Sequence, residues 1–130
     1  MASAHYNLGL EKYTKALIDL STATINVRLL RVSAYTFSQA HEFRTSLPAI
    51  IVADVTLGTK VESGGTFDAA DAVFTAVPSG AAIDALAIYK FVTADADSPL
   101  LAYIDGFTVT PNGGDITLVW QGTTPWIFKI

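Results

Sequence analysis

Apolar residues near the start of the chain recur with the spacing of a helix. Successive members lie three or four positions apart, which places them on one helical face. They are Tyr6, Leu10, Tyr13, Leu17 and Leu20. Asn7 can cap the first turn, and Glu11 can pair with Lys15 one turn later, whereas Gly9 weakens the helix. The pattern predicts an N-terminal helix whose apolar face packs on a sheet or, alternatively, on a neighbouring molecule.

Beyond this helix the period changes to that of β-strands. Ile25, Val27 and Leu29 alternate with the polar residues Asn26 and Arg28, so the two sets point to opposite faces of a strand. Later segments are bounded by Gly, Pro or Asp and are also predicted to be strands. These strands are Ile50–Leu57, Asp71–Val77, Ala85–Val92 and Leu100–Asp105, with Phe107–Thr110 as a continuation after Gly106. We further predict a helical turn over Phe37–Arg44 and a turn or hairpin over Thr59–Thr66.

The strongest local signal is the turn Pro111–Asp115, which separates two β-type runs. Its Asn-Gly and Gly-Gly steps supply the positive φ angles that a tight turn demands. Two strands are predicted after it, each with large apolar residues on one face. These residues are Ile116, Leu118 and Trp120 in the first strand and Trp126, Phe128 and Ile130 in the second.

About seven or eight strands at a spacing of roughly 8–12 residues predict two packed sheets. We expect a mainly β fold, an antiparallel and jelly-roll-like β-sandwich with an N-terminal helix and one short helix. Residues 1–130 are expected to form one domain. Because a free apolar end would aggregate, we expect the last strand to be tied into a sheet. Deleting Trp126–Ile130 is therefore expected to prevent folding.

The composition is poor in charge but not in apolar residues. Hydrophobic residues make up 51% of the chain and charged residues 15%, against about 25% charged residues in an average soluble domain. Either a surface of Thr, Ser and Ala surrounds a well-filled core, or other subunits cover part of an apolar surface. The chain has no cysteine, which excludes disulfides and thiolate metal sites.

The charge pattern argues against nucleic acid and membrane partners. The net charge is −4, and the eight Lys and Arg residues form no run, whereas phosphate binding requires a clustered positive footprint. No apolar stretch reaches the roughly 20 residues of a membrane span. The first five residues do not have the pattern of a signal peptide. We expect a protein that is made in the cytoplasm and has no nucleic acid or membrane partner.

The sequence offers little reactive chemistry. His5 and His41 do not have the local spacing of zinc ligands, and we expect His41 to be a solvated or capping residue. There is no Gly-x-Ser-x-Gly motif and no phosphate-binding glycine loop. Asp95-Ala96-Asp97 could hold calcium, but it lacks the glycine and glutamate of the helical calcium loop. It belongs to an acidic set of Asp68, Asp71, Asp84, Asp95, Asp97 and Asp105. We predict no catalytic, metal-binding or cofactor-binding residue, no cofactor and no enzymatic activity.

Aromatic residues could instead line a sugar-binding platform. Most of them lie at strand positions, where aromatic side chains usually fill a core. The candidates are Tyr35, Phe37, Phe43, Tyr89, Phe91, Tyr103, Trp120 and Trp126. A carbohydrate-binding β-sandwich module is therefore an alternative function.

Several segments resemble small structural proteins of tailed bacteriophages. In the C-terminal half these are Leu100–Asp105, Val109–Thr117, Trp120 and Ile127–Lys129; in the middle they are Tyr35–Ser38, Phe67–Asp71 and Ala87–Lys90. The resemblance covers most of the chain and consists of turn and strand residues. Residues 121–125 depart from it, because the last turn reads Gln-Gly-Thr-Thr-Pro where such proteins tend to carry Asp-Asn-Gly.

The resemblance implies a structural component of a virion. It points to a capsid cement or decoration protein that binds the outer surface of the capsid and stabilises the shell. The implied partners are the major capsid protein and copies of the chain itself, most often as a homotrimer. A tail, baseplate or fibre component of a phage is the alternative within the same resemblance. No functional residue is carried over from it.

Overall fold

The computed structural model describes residues 2–15, 17–20, 22–63, 66–93, 97–120 and 128–129. This part of the chain is mainly β, with antiparallel sheets and one α-helix near the N-terminus, which confirms the predicted fold class. The helix α1 covers Asn7–Thr14, and a 3₁₀ helix covers Arg44–Ser46. The strands are β1 (Ala2–His5), β2 (Ile25–Leu30), β3 (Val55–Thr56), β4 (Val61–Ser63), β5 (Thr66–Asp68), β6 (Ala72–Phe74), β7 (Ile83–Lys90), β8 (Leu100–Val109), β9 (Ile116–Leu118) and β10 (Phe128–Lys129).

A five-stranded central sheet has the order β1-β8-β7-β2-β3, with all neighbours antiparallel. In its middle, β2 and β7 pair in register, with Val27 opposite Ile88. Every residue of β2 is buried, and so are most of those of β7. Both faces of the sheet are therefore covered, so that even the polar Asn26 and Arg28 of β2 are buried.

Two smaller sheets form a second layer over one face of the central sheet. One has the order β10-β5-β4, and the other pairs β6 with β9. Phe67, Phe74 and Leu118 of this layer join Val27 and Ile88 of the central sheet in one apolar cluster. This packing of sheet on sheet is the sandwich that the strand spacing predicts.

Residues 31–54, which we name the cover segment, lie over the opposite face of the central sheet. Two backbone hydrogen bonds hold it at the start of β8. One runs from the Leu100 N–H to the Glu42 carbonyl and the other from the Arg44 N–H to the Ser98 carbonyl, and each is 2.8 Å long. A second buried cluster lies beneath it and is rich in tyrosine. Its members are Tyr6, Leu30, Tyr35, Leu47, Ala85, Ala87, Tyr89, Leu100 and Tyr103.

The N-terminal helix is shorter than predicted. Tyr6 precedes α1 as its N-cap residue and is fully buried, so Asn7 is the first helical residue and not the cap. The helix ends before Leu17, whose side chain is 58% exposed, while Leu20 is buried in the apolar cluster. The predicted ion pair between Glu11 and Lys15 is formed. The apolar spacing over residues 6–20 therefore spans a short helix and an irregular segment, both of which pack on the sheets.

Gly9 has a packing role in α1. A Cβ atom on Gly9 would lie 2.4 Å from the carbonyl oxygen of Leu100, so only glycine lets the helix approach β8 this closely. The residue that weakens the helix in the sequence is the one that allows it to dock on the sheet.

Two further predictions are corrected by the structure, and one strand was not predicted. The predicted strand Ile50–Leu57 is a strand only over β3, because residues 50–54 belong to the cover segment. The predicted helical turn over Phe37–Arg44 is irregular, and the 3₁₀ turn follows it. The unpredicted strand is β1, whose residues Ala-Ser-Ala-His pair with β8 and have no large apolar side chain that would indicate a strand.

The turn at Pro111–Asp115 joins two different sheets. Gly113 has the predicted positive φ, +88°, but β9 pairs with β6 and not with β8, the strand before the turn. Hydrogen bonds of 2.9 Å connect Val77 N–H with the Gly114 carbonyl and Gly113 N–H with the Val77 carbonyl. The turn therefore carries the chain from the central sheet into the second layer.

The chain end is tied into a sheet over the part that the structure describes. Phe128 pairs with Phe67, so β10 extends the sheet of β5 and β4. The strands β4 and β5 pair as the predicted hairpin. Trp126, Ile130 and the hairpin tip at residues 64–65 lie outside the described residues.

Candidate functional site

The histidines and aspartates singled out from the sequence are not gathered into a metal site. Within the described ranges, no three His, Cys, Asp or Glu residues lie close enough to hold a metal ion. Asp84 and Asp105 come near each other through the pairing of β7 with β8, whereas Asp97 is exposed and Asp95 lies outside the described residues. No helix among the described residues has the length and apolarity needed to cross a bilayer.

Most candidate aromatic residues are buried rather than presented to solvent. Tyr35, Tyr89, Tyr103 and Trp120 belong to the core, while Phe37 and Phe43 are half-buried. Phe91 is 40% exposed, and Trp126 lies outside the described residues. On the cover side the rings pack against one another: Phe37 and Tyr103 have centroids 4.6 Å apart, and Tyr6 and Phe37 meet edge-on at 5.2 Å. These rings serve packing between the cover segment and the sheet.

A buried ion pair joins the central sheet to the cover segment. Arg28 of β2 donates from Nε to Asp54 Oδ1 over 3.0 Å and from Nη2 to Asp54 Oδ2 over 2.9 Å. A third bond runs 3.2 Å from Arg28 Nη1 to the Pro48 carbonyl oxygen. Both side chains are about nine-tenths buried, with relative exposures of 9% and 11%. The forked geometry satisfies both carboxylate oxygens, which a charge at this depth requires.

Tyr89 of β7 and Arg44 complete this cluster. The Tyr89 hydroxyl donates to Asp54 Oδ2 and accepts 2.9 Å from Arg44 Nη1. The Arg44 guanidinium also lies over the Tyr89 ring, 5.0 Å from its centroid. Burial, followed by the hydrogen bond to the Asp54 carboxylate, raises the pKa of Tyr89 above its usual value. The hydroxyl is therefore held in its neutral form and bonds Asp54 as a donor.

A further polar pair extends the cluster along β2. Asn26 donates 3.4 Å to the Tyr89 hydroxyl and accepts 2.8 Å from the Thr56 hydroxyl of β3. Asn26 and Arg28 were predicted on the polar face of a strand, and both are buried because the cover segment closes that face. Their partners are distant in sequence, so the pattern gives no sign of the cluster. Its polar groups bond one another, which suits a network that holds two parts of the fold together rather than a reactive centre. We name this hydrogen-bonded cluster the clamp.

A second series of hydrogen bonds crosses the tyrosine cluster. The hydroxyls of Tyr6 and Tyr35 lie 2.8 Å apart, and the Tyr35 hydroxyl lies 2.8 Å from His41 Nδ1. His41 was predicted to be solvated or capping; it is half-buried and is a hydrogen-bond partner of Tyr35. Burial raises the pKa of Tyr6 and of Tyr35. These hydrogen bonds join the cover segment to Tyr6, the residue that precedes α1.

The outward side of the β6–β9 sheet is an exposed surface that includes apolar side chains. Ala72, Phe74 and Leu118 point inward and are buried, whereas Val73 and Val119 are 46% and 70% exposed. We name this surface the outer face. It consists of Asp71, Val73, Thr75, Asp115, Thr117 and Val119, all exposed. It differs from the buried clusters because its apolar groups are left to contact something else.

The two acidic residues of the outer face lie at its opposite corners. Because Ala72 pairs with Leu118 and Phe74 with Ile116, Asp71 and Asp115 precede strands that run in opposite directions. Each accepts a backbone hydrogen bond through Oδ1, Asp71 from Trp120 N–H at 3.2 Å and Asp115 from Ala76 N–H at 2.9 Å. These bonds fix the carboxylates beside the exposed valines.

Comparison with known proteins adds no assignment to this geometry. No protein-family model matches the chain, and no curated protein matches it either. What the chain does is therefore inferred from its own residues and from the resemblance stated above.

Proposed function

We propose that this chain is a non-enzymatic structural protein of a virion that binds the outer surface of the capsid and stabilises the shell. The observation that carries the proposal is the outer face, where Val73 of β6 and Val119, the residue after β9, are exposed. Exposed apolar side chains on a rigid sheet are typical of a surface that another protein covers.

The buried polar groups support the same function. Arg28 and Tyr89 of the central sheet bond Asp54 of the cover segment in the interior. A cement protein has to add contacts between capsid subunits, and it needs no change of conformation to do so. Repeating the same contact over many capsid subunits multiplies a modest affinity into stable attachment.

A tail, baseplate or fibre component would use the same surface chemistry and would differ only in its place on the particle.

Copies of the chain and the major capsid protein are the partners of the proposed cement protein, with a homotrimer as the assembly. The mass of the purified chain in solution tests the trimer independently of the particle.

The location on the particle is tested by cosedimentation and imaging. The labelled chain is mixed with purified DNA-filled heads and, separately, with purified tails of the virus that encodes it. We expect saturable binding to heads at a fixed ratio to the major capsid protein. Binding to tails alone would replace the cement function with the tail alternative. Binding to neither particle, together with absence of the chain from purified virions, would overturn both.

A further inference from the structure

The outer face carries a charge pattern that specifies its partner. Among its members, Asp71 and Asp115 are acidic, Thr75 and Thr117 are neutral, and no member is Lys or Arg. The lysines with described side chains bond elsewhere: Lys12 pairs with Glu42 and Lys15 with Glu11, while Lys60 bonds the Ala23 carbonyl and Lys90 the Leu17 carbonyl. In the register of β6 and β9, Val73 lies in the middle of the outer face, and Val119 lies beside Asp71 at one end of it.

This pattern disfavours a second copy of the chain as the occupant. If two copies packed their outer faces together, the carboxylates of Asp71 and Asp115 from both copies would come close without a compensating base. Like charges facing each other across an interface cost several kcal/mol in unfavourable cases and suppress the wrong partner. The net charge of −4 on each chain adds to the repulsion.

We infer that the outer face docks on a foreign protein surface that presents apolar side chains beside lysine or arginine residues. Val73 and Val119 supply the apolar part of the contact, and Asp71 and Asp115 supply charges at its two ends. The inference rests on the proposed function, in which the foreign surface belongs to the viral shell. It adds the chemistry of that surface and the face of this chain that meets it.

Two variants separate the apolar side chains of the outer face from its charges. Val119→Lys places a charge among the apolar side chains without removing a buried group, since Val119 is 70% exposed. The double variant Asp71→Asn/Asp115→Asn removes both acidic charges and retains the Oδ1 acceptors for Trp120 and Ala76. Circular dichroism and the melting temperature of each variant establish that it is folded.

Matched controls exist on the same chain. Val61→Lys introduces the same charge at another exposed valine, which is 54% exposed on β4. Asp84→Asn/Asp97→Asn removes the same number of acidic charges away from the outer face, and Asp84 retains its Oδ1 acceptor for Val32 N–H. Any effect of net charge alone appears in the controls as strongly as in the test variants.

The measurement is binding of each purified chain to heads of the encoding virus that were assembled without it, at low and high salt. We expect Val119→Lys to weaken binding at least about tenfold, as loss of an apolar contact that contributes strongly to binding does. Asp71→Asn/Asp115→Asn should weaken it about threefold or more at low salt, with less effect at high salt. The control variants should bind like the unmodified chain.

The outcomes distinguish this inference from the proposed function. If the unmodified chain binds heads and both test variants bind equally well, the outer face is not the docking surface and the inference is wrong, while the function stands. If the unmodified chain does not bind heads, the proposed function fails and the inference fails with it. If the free chain forms an oligomer that Val119→Lys dissociates, a second copy occupies the outer face and the inference is also wrong.

Discussion

The two faces of the central sheet are built from different chemistry. The face beneath the second layer is apolar, with side chains such as Val27, Ile88 and Phe74 packed together. The face beneath the cover segment combines tyrosines with a hydrogen-bonded cluster of Arg28 and Asp54. The apolar face needs only complementary shape, whereas the cover face also fixes direction and register through polar bonds.

The difference follows from what lies over each face. Strands of the second layer satisfy their own backbone groups by pairing, so they can present purely apolar side chains to the sheet. The cover segment has little regular structure and must be held in place by specific bonds, since an irregular chain has many competing conformations. Polar residues in the interior are therefore placed where the covering chain lacks secondary structure.

The largest expected effect is the loss of the buried ion pair. Asp54→Ala leaves the guanidinium groups of Arg28 and Arg44 buried with reduced compensation, so we expect the free energy of unfolding to fall by about 3–5 kcal/mol. Urea unfolding monitored by tryptophan fluorescence measures it. Replacing both charges, as Arg28→Met/Asp54→Leu, should recover much of the loss. If the free energy of unfolding of the double variant falls by the sum of the two single losses, then Arg28 and Asp54 do not stabilise the fold as a pair.

The next effect concerns the approach of α1 to the sheet. In Gly9→Ala the new methyl group meets the Leu100 carbonyl oxygen, so the helix must shift, at a cost of about 1–3 kcal/mol. Gly58→Ala is the matched control, because a Cβ atom there has no neighbour within 4 Å. Equal thermal unfolding of the two variants would show that α1 is not held against β8.

Removal of a single hydroxyl group compares the two faces directly. Tyr89→Phe leaves Asp54, Arg44 and Asn26 each short of a buried partner, and we expect a loss of about 1–3 kcal/mol. Tyr13 packs against the apolar cluster, and its buried hydroxyl has no hydrogen-bond partner among the described residues. Tyr13→Phe should therefore be neutral or slightly stabilising. Similar losses in both variants, measured by urea unfolding, would remove the distinction between the faces.

Alkaline pH should weaken the cover side first. Burial raises the pKa of all five tyrosines, and four of them, Tyr6, Tyr35, Tyr89 and Tyr103, belong to the buried cluster between the cover segment and the central sheet. A pKa that is higher in the folded chain means that the stabilisation is complete below the unfolded value of about 10 and is lost as the pH rises above it.

Hydrogen exchange measured as the pH approaches and passes that value tests this order of opening. After correction for the intrinsic exchange rate, amides of residues 31–54 should lose protection before those of β6 and β9. In the variant Tyr6→Phe, which has one fewer buried hydroxyl to ionise, the loss should be smaller. Simultaneous loss over the whole chain would contradict a cover side that opens separately.

The sequence predicts the fold class because the strands of a sandwich are set by local patterns. The period-two segments and the turn at Pro111–Asp115 are visible in the residues, and the positive φ of Gly113 follows from its type. Which strands pair is not local: nothing in the turn indicates that β9 joins β6.

The clamp and the shortened helix depend on contacts between distant residues. Arg28 and Asp54 are 26 positions apart, and either residue alone is typical of a solvated surface. Helical spacing over residues 6–20 does not reveal that the helix stops early, because Leu20 remains buried after the helix has ended. The sequence predicts the strands around β6 and β9 but not the outer face, whose exposed valines became visible once the two strands were paired.

The most direct test of the account is the heat stability of the particle itself. Virions are compared with particles assembled without this chain, and the temperature at which DNA is released is recorded for both. The account predicts release at a lower temperature without the chain, with recovery when purified chain is added back. If DNA is released at the same temperature from particles with the chain and from particles without it, the chain does not stabilise the capsid, and the account is wrong.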